Sequence, residues 1–282
     1  MSPYTFTSVA ALPESDLTIP RIGFGVYLSP TEVCIASCST ALKLGYRHID
    51  TAQFYANELE VGQAVRNSGV PREDIFVTTK IMNPVDNSVE ATLASARASV
   101  EKIGLGYVDL FLIHSPGCGP EGRKILWKAL EKLKEEGATK SIGVSNFGVG
   151  HIEQLKEYSS TIPAVNQIEI HPWCQQTSVT KYCQERGIVV EAYAPLVRAT
   201  KNDDPTLVTI AKAHGVSTTQ VLVRWSIQHG FIPLPKSDNP ERIKNNADVF
   251  GFELTREEMA QIDAKGLPGG EGAICPYLAD AP

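Results

Sequence analysis

The feature that most constrains the fold of this chain is a regular alternation of short apolar runs with longer amphipathic runs. The short runs are rich in Val, Ile, Phe and Tyr, which is typical of buried strands. They predict eight strands at residues 21–25, 46–50, 75–80, 107–114, 140–145, 164–170, 188–194 and 231–235. Helical patterns lie between them, for example at residues 30–45, 88–104 and 124–137. This order favours an α/β fold in which eight parallel strands close into a (β/α)8 barrel.

The predicted helices carry recognisable start and stop signals. Ser217 with Gln220, and Thr255 with Glu258, have the spacing of capping boxes at helix N-termini. Glycines follow the helical runs, where C-caps are expected, at Gly45, Gly104, Gly137, Gly187 and Gly230. These signals support the division of the chain into alternating strands and helices.

Length and charge limit the number of domains and the classes of partner. The chain has 282 residues, a size that α/β barrels reach as one domain, and no linker divides it, so residues 1–282 are expected to form a single domain. With 26 Lys and Arg against 32 Asp and Glu, the net charge is −6. An acidic balance argues against nucleic acid or an anionic membrane surface as a partner.

The cysteines and the N-terminal segment indicate a compartment. The six cysteines form no C-x-x-C pair and no second pair completes a zinc site, so reduced thiols and no metal are expected. The first residues lack the basic and apolar regions of a signal peptide, and no apolar run is long enough to span a membrane. We therefore expect a cytoplasmic protein.

Polar residues stand where the predicted strands end. A barrel of this class carries its chemistry at the C-terminal ends of its strands. The residues at or just after these ends are Asp50, Tyr55, Lys80, His114, Ser145, Asn146, Gln167 and Tyr193. Each type alone is common in structural roles, but the whole array at one rim predicts a catalytic site.

A resemblance to a known family accounts for this array. The segments "LGYRHIDTAQFYANE", "TTK", "LFLIHSP", "IGVSNF", "NQIEIHPW", "AYAPL" and "PLPKSDNPERIKNN" resemble the aldo-keto reductases, in this order and at similar spacings. The opening "IPRIGFGVYLS" fits as well, and the resemblance spans residues 8–265. It implies a (β/α)8 TIM barrel with an N-terminal hairpin and a short C-terminal tail. It also implies extended binding of NADPH without a Rossmann domain.

The resemblance places the family's catalytic tetrad on Asp50, Tyr55, Lys80 and His114. Tyr55 would give a proton to the alkoxide formed when a carbonyl is reduced. A free tyrosine has a pKa of about 10, and a Lys80 ammonium beside it is expected to lower that pKa towards the working pH. Asp50 would hold Lys80 by a charge pair, and His114 would orient the carbonyl oxygen by a hydrogen bond.

The resemblance also implies a set of cofactor contacts. Ser145, Asn146 and Gln167 would hold the nicotinamide carboxamide, and Tyr193 would stack against the ring. The remaining contacts would come from Leu196, Lys236, Ser237, Arg242 and Asn246. Two cations and a hydroxyl in "PKSDNPER" suit a dianionic 2′-phosphate, which favours NADPH (NADP+) over NADH. Asn246 would contact the adenine.

A glycine pattern in the fourth strand–helix connection suggests a different site. Residues 117–122 match G-x-G-x-x-G between a predicted strand and a predicted helix. In a dinucleotide fingerprint an acidic residue ends the next strand about 20 positions on. Here Glu135 and Glu136 lie inside the helical run instead. We therefore expect residues 115–124 to form a short loop over the barrel mouth, with no role as a phosphate cradle.

Three residues differ from the aromatic ones frequent in the family's substrate pocket. Tyr27, Met82 and Ser115 stand at these positions, which predicts a less aromatic and roomier pocket. The overall expectation is an NADPH-dependent oxidoreductase, a monomer, that reduces aldehyde and ketone carbonyls to alcohols. Two alternatives stay open: a nucleotide-binding regulatory subunit of the same fold with little turnover, and a sugar-specific reductase. The intact tetrad favours the enzyme.

Overall fold

A computed structural model describes residues 4–275 of the chain. The strands are β1 (Val9–Ala11), β2 (Thr18–Pro20), β3 (Phe24–Gly25), β4 (His48–Asp50), β5 (Phe76–Ile81), β6 (Val108–Ile113), β7 (Thr139–Ser145), β8 (Val165–Glu169), β9 (Val189–Tyr193) and β10 (Ile232–Pro233). The helices are α1 (Thr31–Lys43), α2 (Glu58–Arg66), α3 (Val89–Ile103), α4 (Gly119–Glu135), α5 (Val149–Leu155), α6 (Thr177–Glu185), α7 (Pro205–His214), α8 (Thr218–Gln228), α9 (Pro240–Ala247) and α10 (Arg256–Asp263). Each of the eight expected barrel strands is present.

The barrel sheet runs in chain order. Over the described residues, β3 to β10 pair as parallel neighbours in sequence order. Backbone hydrogen bonds from Gly23 N to Pro233 O (3.0 Å) and from Gly25 N to Pro235 O (3.2 Å) join the first strand region to the last. These bonds close the curled sheet, and the expected (β/α)8 fold is confirmed.

Side chains alternate between two cores along each barrel strand. Val77, Phe111 and Ile168 point outward into the large core between the sheet and the helices. Leu110 and Leu112 point inward, with Phe76, Val165 and Ile232, into a small core inside the barrel. Because neighbouring residues of a strand face opposite sides, strands buried on both faces read as near-continuous apolar runs. This explains why the strands were recognisable in the sequence.

A hairpin closes the bottom of the barrel. β1 and β2 pair antiparallel, and Ile19 of β2 and Leu12, which follows β1, belong to the inner core. The N-terminal hairpin is therefore present as expected. It fills the N-terminal end of the barrel with apolar side chains, so the open end is the one where the strands finish.

The helix boundaries follow the predicted signals. Ser217 and Thr255 cap α8 and α10, and both capping boxes are formed. The five glycines expected after helices all have positive φ, between 67° and 101°. That backbone conformation suits glycine because it has no Cβ to clash.

The glycine-rich segment is more helical than the sequence predicted. Residues 115–124 were expected to form a loop, but α4 begins at Gly119, after a short 3-10 turn at Pro116–Cys118. Gly119 has a φ of 78°, which lets the chain turn sharply from one helix type to the other. Gly122 lies inside α4, where an added Cβ would stand 2.9 Å from Cys118 Sγ. These two glycines serve the turn and the packing of the helix start.

The C-terminal segment folds back against the residues that follow β8. Leu267 N donates to Trp173 O, and an added Cβ at Gly272 would stand 2.0 Å from that same oxygen. Backbone N–H groups of Ile274 and Cys275 donate to the buried Glu169 carboxylate at 2.7 and 2.9 Å. The expected short tail is thus anchored up to Cys275, and the rest of it lies outside the described residues.

Two features of the described part of the chain concern membranes and metals. Among residues 4–275, every helix falls short of the length and apolar character that a membrane span requires. Within the same range, His, Cys, Asp and Glu side chains form no group of three that could hold a metal ion.

The inner core should carry a large share of the stability. We expect Leu112→Ala to lower the free energy of unfolding by about 2–5 kcal/mol, because a buried leucine side chain would leave a cavity inside the barrel. Urea unfolding measures this. Leu59→Ala, on the exposed surface of α2, is the matched control, with an expected change within about 0.5 kcal/mol. Equal losses in the two variants would contradict this view of the core.

Candidate active site

The upper layer inside the barrel is polar. Inward positions of β4, β5, β8 and β9 carry Asp50, Lys80, Gln167 and Glu191, all buried. On β6, in contrast, the inward positions are the apolar Leu110 and Leu112. The strand alternation that builds the barrel therefore also gathers these polar groups at the C-terminal ends of the strands, where the barrel is open.

Lys80 is the centre of this layer. Its ammonium donates to Asp50 Oδ1 at 2.7 Å, to the Thr51 carbonyl at 2.9 Å and to Tyr55 Oη at 3.2 Å. An ammonium group has three N–H donors, and all three are used. Burial lowers the pKa of Lys80, but Asp50 and Tyr55 together raise it by more. The net pKa of Lys80 is therefore above its usual value. Lys80 is a fixed, buried cation.

The pKa of Tyr55 differs from the lowered value that the sequence led us to expect. Burial raises the pKa of Tyr55, Lys80 lowers it, and the net pKa is about 12. We expected a lowered pKa for Tyr55, and this expectation is wrong for the protein without bound ligands. Loss of water around the phenol raises the pKa more than the nearby ammonium lowers it. Lys80 still acts in the expected direction, but it only limits the rise.

His114 stands beside Tyr55 in an uncharged form. The two rings lie edge to face with their centres 5.6 Å apart. Burial and, to a smaller extent, Lys80 lower the pKa of His114 to about 3. A neutral imidazole has one N–H donor and one acceptor nitrogen. His114 can thus donate a hydrogen bond to a carbonyl oxygen without adding a charge to the site.

The loop that carries Tyr55 is held by a buried asparagine. Tyr55 ends a 3-10 turn after β4, and Asn57 follows two residues later. The Asn57 amide nitrogen donates to the carbonyls of Val26 and Ser29, and its oxygen accepts from Thr51 Oγ1 at 2.7 Å. These bonds tie the loop after β4 to the loop after β3. They fix the direction from which Tyr55 reaches Lys80.

The residues expected to bind the carboxamide lie together at the ends of β7, β8 and β9. Asn146 Nδ2 donates to Ser145 Oγ at 3.1 Å and to the His114 carbonyl at 3.0 Å, while its Oδ1 accepts from Tyr193 Oη at 2.8 Å. Gln167 Nε2 donates to Asp50 Oδ2 at 2.8 Å. The structure therefore brings these four residues next to the tetrad in one hydrogen-bonded group.

The residues expected to bind a phosphate follow β10. Arg242 Nε donates to Ser237 Oγ at 3.4 Å, so these two are neighbours. Lys236 pairs with Asp238 and also donates to the Leu28 carbonyl at 3.2 Å. Asp238 in turn accepts from Ser29 and Ser37. An anion that binds Lys236 must therefore compete with the Asp238 carboxylate, a pairing that no local sequence pattern indicates.

The other expected site residues differ in their surroundings. Leu196 packs against the core after β9, and Asn246 is buried in α9. Tyr27 is 39% exposed, with its ring centre 4.9 Å from that of Tyr55, so it lies at the rim of the site. Met82 follows β5 and is half-buried. Ser115 is buried, and its Oγ caps the turn before α4 by accepting from Gly117 N.

Several residues of the site were not predicted. Phe54 is 64% exposed, and its ring centre stands 6.3 Å from that of His114, which makes it an apolar wall at the mouth. His48 and Glu191 lie two residues before Asp50 and Tyr193 on their strands, so strand alternation places them on the same inner face. That alternation was the available signal for both. Asp238 had no comparable signal.

The comparisons with known proteins agree with this geometry. Residues 27–266 match the model of the aldo/keto reductase family. An aldo-keto reductase of Mycolicibacterium smegmatis is 47% identical over 87% of this chain and 89% of its own length. The glyoxal reductase of Bacillus subtilis is 44% identical over 87% of this chain and 88% of its own. A crystal structure of a Bombyx mori aldo-keto reductase in complex with NADP is 34% identical with a TM-score of 0.84, and the match covers 93% of this chain and 94% of that one.

The buried Lys80–Asp50 pair gives a stability test. Lys80→Met should lower the free energy of unfolding by about 3–5 kcal/mol, because Asp50 would remain buried without its cation. The double variant Lys80→Met with Asp50→Asn should lose less than the single variant, since no unpaired charge is left. Urea unfolding of both measures the difference. A double variant that is less stable than Lys80→Met alone would contradict this assignment.

Proposed function

This chain belongs to the aldo/keto reductase family, and we propose that it reduces aldehyde and ketone carbonyls to alcohols with NADPH, with Tyr55 as the general acid. The observation that carries the proposal is the contact between the Lys80 ammonium and Tyr55 Oη, 3.2 Å long, at the open end of the barrel. A phenol beside a buried cation, with a neutral imidazole next to it, is suited to give a proton to a developing alkoxide.

Tyr55 can donate its proton despite its raised pKa. The conjugate acid of hydroxide, water, has a pKa of about 15.7, and a developing alkoxide approaches that basicity. A phenol with a pKa of about 12 therefore transfers its proton downhill. The Lys80 ammonium stabilises the phenolate that remains. Asp50 keeps Lys80 at this position, so it acts through Lys80.

His114 and the mouth residues would place the substrate. A hydrogen bond from the neutral His114 ring to the carbonyl oxygen would hold that oxygen beside Tyr55 Oη. Phe54 and Tyr27 offer aromatic surfaces at the rim, where the non-reacting part of a substrate would lie. Met82 would add a flexible apolar contact. A role for Ser115 in this pocket is retained as a prediction, although its hydroxyl caps the adjoining turn.

The amide group at the strand ends fits a nicotinamide. Both N–H groups of Gln167 Nε2 are committed to the Asp50 and Glu191 carboxyl groups, which leaves Gln167 Oε1 as the acceptor for a carboxamide N–H. Ser145 and Asn146 lie beside it, and Tyr193 would cover the ring face. Bound NADPH would supply the hydride to the carbonyl carbon. The residues of the chain orient the ring, exclude water and hold the proton on Tyr55.

The cations after β10 support NADPH over NADH. Two cations, Lys236 and Arg242, and the Ser237 hydroxyl would together suit the charge of a 2′-phosphate. Asn246 and Leu196 would contact the rest of the nucleotide. The Bombyx mori relative was solved in complex with NADP, which supports the same choice here.

The substrate is proposed as a class. The glyoxal reductase of Bacillus subtilis covers most of this chain at 44% identity, which makes small aldehydes and dicarbonyls the first substrates to test. We further propose that the chain acts as a single domain, as a monomer and in the cytoplasm.

The role of Tyr55 gives the main test of the function. Tyr55→Phe removes the proton donor and should lower kcat for carbonyl reduction by about 10²- to 10⁴-fold, the usual contribution of a general acid. NADPH binding, measured by fluorescence, should stay within about twofold, since the ring is kept. Tyr182→Phe, on the surface of α6, is the control and should keep wild-type activity. Near wild-type turnover in Tyr55→Phe would overturn the proposal.

The phosphate site gives a test of cofactor choice. Neutralising both Lys236 and Arg242 to Met should raise the Kd for NADPH by about 10- to 100-fold, because two charge-assisted bonds are lost, and leave that for NADH almost unchanged. Asp238→Asn should have the opposite effect and lower the NADPH Kd by about 2- to 5-fold, because Lys236 loses its competing carboxylate. Equal effects on NADPH and NADH would place the 2′-phosphate elsewhere.

A further inference from the structure

Glu191 is a buried acid that none of the proposed steps uses. It occupies an inward position of β9, with Gln167 of β8 and Ile232 of β10 as its register partners. Its side chain has no exposure to solvent. A carboxyl group at this depth is unusual unless it is paired or protonated.

The contacts of Glu191 lead directly to the tetrad. Gln167 Nε2 donates to Glu191 Oε2 at 2.7 Å and to Asp50 Oδ2 at 2.8 Å, so one amide bridges two carboxyl groups. The other Asp50 oxygen accepts from Lys80 at 2.7 Å. Glu191 is therefore joined to the catalytic cation by a chain of short hydrogen bonds.

The remaining oxygen of Glu191 faces a histidine. Glu191 Oε1 stands 3.5 Å from His48 Nε2 and has no hydrogen-bond partner among residues 4–275. His48 Nε2 lies 3.1 Å from Thr78 Oγ1. Burial, with a smaller effect of Lys80, lowers the pKa of His48 to about 3, so this histidine is uncharged and offers no countercharge.

Each strand that packs against Glu191 presents different charged or neutral groups to it. β4 contributes Asp50 and the neutral His48, β5 contributes Lys80, and the neighbouring positions on β8 and β10 are the uncharged Gln167 and Ile232. Lys80 already has Asp50 as its partner. An ionised Glu191 would be a second carboxylate for one cation, and a buried charge without a partner is costly.

We propose that Glu191 is a positioning residue for the reductase reaction: it holds a proton at neutral pH, fixes Gln167 between the two carboxyl groups, and slows carbonyl reduction when it ionises. This inference rests on the proposed reductase function. It assigns a role to a residue that touches neither substrate nor cofactor and acts through Gln167, Asp50 and Lys80.

The direction of the pH effect follows from the added charge. Burial, and then the nearby Asp50, raise the pKa of Glu191 to about 8, against the smaller opposing effects of Gln167 and Lys80. Above that pH the proton leaves for solvent and a second negative charge stands below Lys80. That charge disfavours the Tyr55 phenolate, which makes Tyr55 a weaker acid. Reduction should therefore be fastest below this transition and fall above it.

Infrared difference spectroscopy tests the protonation state without relying on activity. The spectrum of the wild-type protein between about pH 6 and about pH 10 should show loss of a protonated carboxyl band centred near pH 8. Glu191→Gln, which keeps size and hydrogen bonding, should lack that band. Glu58→Gln is the matched control: Glu58 is also a buried glutamate with a raised pKa, but it accepts from Thr79 on the outer side of β5. The Glu58→Gln variant should still show the protonated carboxyl band that is lost near pH 8.

The pH profile of kcat tests the role in the reaction. Wild type and Glu58→Gln should lose about threefold or more of kcat for carbonyl reduction as pH rises through about 8, while Glu191→Gln should show no such step. If the role of Glu191 were purely structural, Glu191→Gln would lower kcat by the same factor at every pH and would keep the step of the wild-type profile. The same step in Glu191→Gln as in wild type would overturn the proposal, and so would an ionised Glu191 at neutral pH in the wild-type spectrum.

The failure of this inference can be told apart from failure of the proposed function. Absence of carbonyl reduction by the wild-type protein at every pH would overturn the reductase function and the role of Glu191 with it. Normal reduction that needs Tyr55, with an unchanged profile in Glu191→Gln, would overturn only the role of Glu191. If Glu191→Gln does not fold, the infrared titrations of wild type and Glu58→Gln still decide: a protonated carboxyl band that both lose near pH 8 supports the proposal, and its absence from both overturns it.

Discussion

The interaction on which the site depends is the buried contact of the Lys80 ammonium with Asp50, Thr51 and Tyr55. A cation without access to water is tolerated only when its donors are satisfied and its charge is matched. Lys80 meets both conditions, because its three N–H groups have three acceptors and one of them is a carboxylate. This arrangement fixes the phenol of Tyr55 against a permanent positive charge, and the proposed acid chemistry follows from it.

The barrel makes that contact possible by separating two kinds of interior. The N-terminal ends of β5 and β8 carry the inward apolar side chains Phe76 and Val165, and the hairpin residue Ile19 closes that end. The upper inward positions hold the charged and amide groups. Water is thus excluded from below, while the open upper end is where the proposed substrate and cofactor would enter. The same strands provide stability at one end and reactivity at the other, which is general for barrels of this class.

Much of the fold and part of the site could be predicted from the sequence. Strands such as β6 are buried on both faces and mostly apolar, so they were recognisable, and capping boxes at Ser217 and Thr255 located helix starts. The start of α4 at Gly119 was missed, because glycine and proline signals favour a loop. The raised pKa of Tyr55 was missed because burial depends on tertiary packing. The pairing of Asp238 with Lys236 also depends on a side-chain direction that no local pattern encodes.

The most direct test of the central claim is the oxidation of NADPH by the wild-type protein, followed by absorbance, with a panel of aldehydes, ketones, dicarbonyls and aldoses. The experiment is repeated with NADH, and the alcohol product is quantified beside the cofactor. We expect turnover on several carbonyls, one alcohol formed for each NADPH consumed, and lower efficiency with NADH. Tight NADPH binding without turnover on any member of the panel would contradict the reductase function and favour a regulatory role for the same fold.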